Sequence, residues 1–350
     1  MKRNYSLDFL KLVFAYIIAF FHFGITISPG AEVAVQIFFI ISGFFLARKF
    51  YSLREQEYSA WDYTLHHVKQ LLPHYLFSHL ILFLYLLARM MLYFFKAPSL
   101  DGFVEIIRFF YNQIPDLVFL QSSFTFHDSI NYPLWQISAL LISGYFVFAL
   151  LRQNEPLSRR IIFPMAILMV QSLLASGVDL WENFGLLYLP LLRAFGPMCI
   201  GVLTYYFTTT AQFAQVQKHR VLLNLCSVLG LAGIFLFGNQ GSIFLITTPV
   251  ILMACWTEKS WINVLLNHKC MRSFGKLSYA VYLNHALIER FTKARLFPHV
   301  QGYGIRECLT YFLLLTVYSI FTMVLVEKLT KWIQTRRILR KSSKLPGSDT

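Results

Sequence analysis

Asp8, Lys11 and His22 stand inside one apolar run near the start of the chain. Ionisable groups in such a run are costly, which makes them candidates for chemistry before anything else. At about 100° per residue, the eleven steps from Lys11 to His22 make three turns plus about 20°, so both side chains leave one helix face about 16 Å apart along the axis. Asp8 lies one turn before Lys11 on nearly that face, and Ala15 and Ala19 fall between the two ends. A stripe of charged, small and imidazole residues on a helix otherwise made of Phe, Leu and Ile can line a cavity running across a membrane. An imidazole of ordinary pKa, about 6.5, can be neutral and take a proton from a hydroxyl, so His22 is a candidate general base. Lys11, paired with Asp8, can bind a phosphate or fix the helix in place. The same residues also suit a purely structural role, with Asp8 and Lys11 as an interfacial ion pair and His22 hydrogen-bonded to a neighbouring helix.

The rest of the chain says what must position them. Its 350 residues are 57% hydrophobic and 14% charged, with a mean hydropathy of +0.55, whereas about a quarter of a soluble domain is charged. Together with 35 Phe and 19 Tyr, this excludes a single soluble domain and makes the bilayer the primary environment. The formal charge of +14 does not indicate nucleic acid, because the Lys and Arg residues sit in short polar stretches between apolar runs and no basic motif stands apart from them. Cys199, Cys226, Cys255, Cys270 and Cys308 are scattered without a C-x-x-C pair, against both a metal site and a disulfide framework.

A spanning helix needs about 20 mostly apolar residues. Runs near 7–28, 32–50, 71–95, 133–151, 161–177, 185–207, 220–238, 241–257, 277–292 and 308–333 qualify, the ninth weakest because Asn284, His285 and Glu289 interrupt it. Alternate connections differ in charge. One set holds Lys2 and Arg3; Arg48, Lys49, Arg54 and Lys69; Arg152, Arg159 and Arg160; Lys218 and Arg220; Lys259, Lys269, Arg272 and Lys276; and the tail from Lys331 to Lys344. The other set is poor, with no Lys or Arg in 26–36, 177–185 or 238–241. By the positive-inside rule this predicts an all-α polytopic membrane helix bundle of about ten transmembrane helices, with both termini cytoplasmic. Residues 1–335 are read as the membrane domain and 336–350 as a polar basic cytoplasmic tail. The first run is read as a retained helix, since no small-residue cleavage site follows it. Two polar segments exceed simple connections: 48–72 on the inner side and 96–132 on the outer. No internal repeat supports an inverted-repeat transporter.

The spacing of several short motifs now becomes informative. Leu7-Asp8-Phe9-Leu10-Lys11 with His22, then Phe38-Phe39-Ile40-Ile41-Ser42-Gly43-Phe44, then Lys69-Gln70-Leu71-Leu72-Pro73 resembles the membrane-bound acyltransferase 3 family of bacteria. Pro133-Leu134-Trp135-Gln136-Ile137-Ser138-Ala139 and Phe274-Gly275-Lys276-Leu277-Ser278-Tyr279-Ala280-Val281-Tyr282-Leu283-Asn284-His285 extend the resemblance over most of the chain. Five ordered matches are far more specific than any one. The resemblance implies transfer of an acyl group, usually acetyl from cytoplasmic acetyl-CoA, to a sugar hydroxyl of a surface polysaccharide or lipid-linked glycan, with no metal. The family's basic residue, ten intervening positions and histidine fall on Lys11 and His22. Arginine is commoner at the first position, and lysine is a point donor rather than a planar fork.

On that reading His66, His67, Lys69 and Arg48 face the phosphates of CoA, although positive-inside retention alone also accounts for basic residues there. Asn131 and Trp135, with Tyr132, can hold a sugar ring at the outer mouth, or act as interfacial anchors. Arg193, just before Gly196 and Pro197, can hold an anionic group or form an interhelical ion pair. Asn284 and His285 can line the same cavity or knit the ninth helix to its neighbours. The implied partners are acyl-CoA, a glycan acceptor and membrane lipid, not nucleic acid. A transporter or flippase of a glycan or lipid precursor is the competing class, and a catalytically inactive relative a third.

Overall fold

With no water to satisfy their backbones, apolar runs inside a bilayer must close their hydrogen bonds within the segment, and helices do so. The computed structural model of the chain describes residues 4–25, 27, 30–122, 129–176, 183–184, 187–237, 243–300 and 302–342. Its long helices are α1 (Tyr5–Phe23), α2 (Gly30–Ser52), α3 (Ala60–Lys96), α4 (Leu100–Tyr111), α5 (Leu134–Leu157), α6 (Phe163–Ala175), α7 (Leu189–Thr208), α8 (Arg220–Phe237), α9 (Ile243–Trp256), α10 (Phe274–Phe291) and α11 (Ile305–Ser342). All but α4 fall on the ten expected runs. The one strand pairing among the described residues joins Asn183 to Tyr188 and Phe184 to Leu187. The connections at 177–182, 185–186 and 238–242, and the tail beyond 342, lie outside the described residues.

The chain is an all-α polytopic membrane protein, and candidate crossings follow from helix length and composition. Six stretches qualify among the described residues: Tyr5–Phe23, Gly30–Ser52, Ala60–Lys96, Leu134–Leu173, Arg220–Phe237 and Ile305–Arg336, with Phe244–Trp256 apolar but shorter. Helix α10 does not qualify, since Lys276, Glu289 and Arg290 share its 18 residues. It is instead wrapped by protein: Leu277, Ala280, Val281, Leu283, Asn284, His285, Leu287 and Ile288 are all buried. A helix enclosed by other helices can carry polar groups that lipid would not tolerate.

The inner polar segment expected at 48–72 is mostly helical. Helix α2 continues to Ser52 and α3 begins at Ala60, leaving 53–59 as the connection. The early start has a local cause: Ser59 caps α3 by accepting from the Asp62 amide at 3.0 Å, while Asp62 accepts from the Ser59 amide at 3.0 Å. Ser59→Ala is expected to cost about 1 kcal/mol, read as a lowered thermal midpoint in detergent. Pro73 sits within α3 without ending it.

The expected basic connection at 152–160 is a tight corner. Asn154 leaves the helical region at φ −155°, ψ 87°, and the Ser158 hydroxyl donates to the Leu150 carbonyl at 2.8 Å. In a straight helix those residues would stand about 12 Å apart, so the chain turns back here. Glu155 pins the corner to α2, accepting from Tyr51 at 2.7 Å and pairing with Arg54 at 2.9 Å and Arg159 at 3.3 Å.

Helices α2 and α7 touch backbone to backbone. A Cβ at Gly43 would overlap the Met198 carbonyl, and one at Gly201 would overlap the Ile40 carbonyl. Small residues are what allow helices to approach so closely without lipid or side chains between them.

Candidate active site

Two polar regions lie at opposite ends of α1. At its N-terminal end a cavity of about 470 Å³ opens where the start of α1, the end of α2 and the starts of α3 and α10 meet. Asp8, Lys11, Arg48, His67, Gln70 and Lys276 line it with Ser42 and Tyr63. An adjoining cavity of about 380 Å³ shares Lys11, Ser42, Gln70 and Lys276 and runs on to His74, Gln136, Tyr282 and Glu327. Lysine and arginine outnumber carboxylates on the first wall by three (Lys11, Arg48, Lys276) to one (Asp8). The cations are held by aromatic faces or carboxylates: Lys11 Nζ is 4.7 Å from the Phe45 ring centroid, Arg48 Cζ 4.9 Å from that of Trp256, and Lys276 Nζ 2.8 Å from Glu327 Oε1. These contacts orient the charges without neutralising the set, as a pocket for a polyanion requires.

Helix phase decides which residues of α3 take part. Tyr63, His67, Gln70, Leu71 and His74 recur at the three- and four-residue steps of one face, and all line these cavities. His66 and Lys69 point elsewhere and are exposed. His67 and Arg48 therefore stand at the basic cavity, while the other two members of the expected donor-binding group do not line it.

At the far end of α1 two imidazoles meet. His22 and His285 stack with ring centroids 5.2 Å apart at 24°, and Tyr132 packs on both, at 4.5 and 5.5 Å. Below them the Tyr132 hydroxyl donates to Glu289, which pairs with Lys293 at 2.8 Å. Lys293 also donates to the His22 carbonyl oxygen at 3.0 Å, satisfying an acceptor at the end of α1. It lies in a π-helical turn, Thr292–Leu296, that follows α10; such turns are frequent at functional sites.

The expected polar seam along α1 thus differs in kind along its length. Lys11 lines both cavities, and His22 lines neither. The link runs through α10: the second cavity reaches Tyr282, whose ring centroid lies 5.7 Å from that of His285, the partner of His22.

The other expected residues are placed as follows. Arg193 is buried on α7 with its guanidinium carbon 5.7 Å from the Trp135 ring centroid, and Trp135 meets Phe39 edge-on at 6.3 Å. Asn131 is buried and donates to Ser78 at 3.5 Å and to the Leu283 carbonyl at 3.4 Å, tying α3 to α10. Asn284 donates to Thr322 at 2.8 Å, a link to α11, so it knits where His285 faces His22. Sequence reasoning overlooked Lys276, Glu289 and Lys293 as site residues. A signal existed: His285, Glu289 and Lys293 recur every four residues, a polar stripe on one face of a helix that ought to be apolar.

A polytopic bundle whose ionisable residues turn inward toward cavities is the architecture of a membrane-embedded enzyme or carrier. The family model described as an acyltransferase domain matches residues 4–327, nearly the whole chain, and the chain belongs to that family. It is a membrane acyltransferase. No curated protein and no solved structure matches it.

Proposed function

We propose that the protein is an O-acyltransferase of the bacterial cytoplasmic (inner) membrane. It moves an acetyl or other short acyl group from cytoplasmic acyl-CoA to a sugar hydroxyl of a surface polysaccharide or lipid-linked glycan. The observation that carries this is the basic cavity at the positively flanked end of the bundle, continued by Tyr282 and His285 toward His22. CoA is polyanionic, and Lys11, Arg48 and Lys276 suit its phosphates. As the sugar oxygen bonds to the thioester carbonyl carbon, its proton passes to His22. The carbon–sulfur bond breaks, and the departing CoA thiolate takes up the proton. His285 and Tyr132 hold the His22 ring, while Lys293 holds its backbone.

Mass spectrometry of surface glycans from cells with and without the gene tests the reading. A difference of one acyl unit identifies both group and acceptor, and identical spectra overturn it. Glycan flux into proteoliposomes without an acyl donor would instead support the flippase alternative. The donor side has its own test. Losing a charge-assisted hydrogen bond costs about 1.5–3 kcal/mol, so Arg48→Ala is expected to raise KM for acyl-CoA about 10- to 100-fold, measured by thiol release in nanodiscs. Arg54, which pairs with Glu155 outside the cavity, supplies the control. Equal KM changes in Arg48→Ala and Arg54→Ala would remove Arg48 from the donor site.

A further inference from the structure

His285 is fully buried, and its Nδ1 lies 2.6 Å from the Tyr282 carbonyl oxygen. A carbonyl only accepts, so Nδ1 carries the proton and Nε2 is left as a lone-pair acceptor. That nitrogen has no hydrogen-bond partner among the described residues, and buried polar atoms are rarely left so. The neighbouring tyrosine hydroxyls are committed elsewhere, and Lys293 has two of its three N–H groups engaged. Tyr132 donates to Glu289, Tyr282 to the Pro133 carbonyl, Tyr311 to the Ala19 carbonyl, and Lys293 to Glu289 and the His22 carbonyl. No described residue is seen to supply the group that satisfies Nε2. It must be a hydrogen-bond donor, and it must arrive beside His22, since the two rings stack at 5.2 Å.

We infer that the acceptor presents a vicinal diol: His22 takes the proton of the hydroxyl that is acylated, while the adjacent hydroxyl donates to His285 Nε2. The inference rests on the acyltransferase reading and narrows its substrate class. Hydroxyls on neighbouring ring carbons stand about one hydrogen-bond length, about 2.8 Å, apart. Acceptors on two rings separated by 5.2 Å can each reach one of them. The second contact does more than add affinity. It decides which of two chemically similar hydroxyls meets the base, so His285 sets the position of the ester. A sugar lacking the neighbour would leave the buried nitrogen unpaired, the situation in which sites discriminate most strongly.

The test uses the full-length protein in nanodiscs with acetyl-CoA and, as acceptor, the glycan recovered from cells lacking the gene, with the ester located by NMR. The wild type is expected to acylate one position whose neighbouring carbon keeps a free hydroxyl. His285→Phe is expected to lower kcat/KM for the acceptor about 10- to 100-fold, chiefly through KM, and to spread the ester over both hydroxyls. His285→Gln, which returns an acceptor oxygen, is expected to recover part of the selectivity. An ester with no free hydroxyl beside it overturns the inference, as does a folded His285→Phe variant of unaltered KM and ester position. If His285→Phe does not fold, the wild type is assayed on an acceptor methylated at the neighbouring hydroxyl. A loss of the same size supports the diol, and an unchanged kcat/KM overturns it. Absence of any transfer by the wild type overturns the acyltransferase reading, whereas transfer without this selectivity overturns the diol alone.

Discussion

His22→Ala is expected to lower acyl transfer by about 10²- to 10⁴-fold, the usual contribution of a positioned general base, in a protein that still inserts and folds. The expectation that folding survives has a structural basis. The tie between α1 and the turn after α10 runs from Lys293 to the His22 backbone carbonyl, which alanine retains. What is lost is the imidazole and its ring contacts with His285 and Tyr132. The paired measurements are transfer rate from acetyl-CoA and thermal midpoint in the same nanodisc preparation. Wild-type turnover in a folded His22→Ala protein would refute the catalytic role and leave His22 as a packing residue.

The second large effect concerns stability. Gly201→Val is expected to cost about 3 kcal/mol or more, the upper range for overpacking, because its Cβ would occupy the position of the Ile40 carbonyl on α2. Backbone cannot move aside as a side chain tip can, so α2 and α7 must separate. Arg48 is near the end of α2, and Arg193 is on α7, so that separation would also disturb the cavity wall and the contact with Trp135. The readout is folded yield and thermal midpoint. Gly302→Ala is the control, since nothing lies within 4 Å of a Cβ there, and it should be nearly neutral. Equal behaviour of the two variants would show that the close approach of α2 and α7 is not needed.

The sequence by itself determined the environment, the helical class, the ten runs on which helices form and the end of the bundle that carries positive charge. Those properties are local: apolar length, the need to satisfy backbone in lipid, and Lys and Arg in alternate connections act on each segment separately. It also marked Asp8, Lys11 and His22 as one face, because a single helix has a fixed rotation per residue. Tertiary structure decided what that face meets. His67 and Gln70, rather than His66 and Lys69, line the cavity, since the rotation of α3 about its own axis is set by its neighbours. His22 meets His285 from α10 and Tyr132 from the turn before α5, both far along the chain, and α10 is polar yet buried because others surround it. The register and rotation of one helix against another come from interlocking contacts such as Gly43 on Met198 and Gly201 on Ile40, and periodicity within one run cannot encode them.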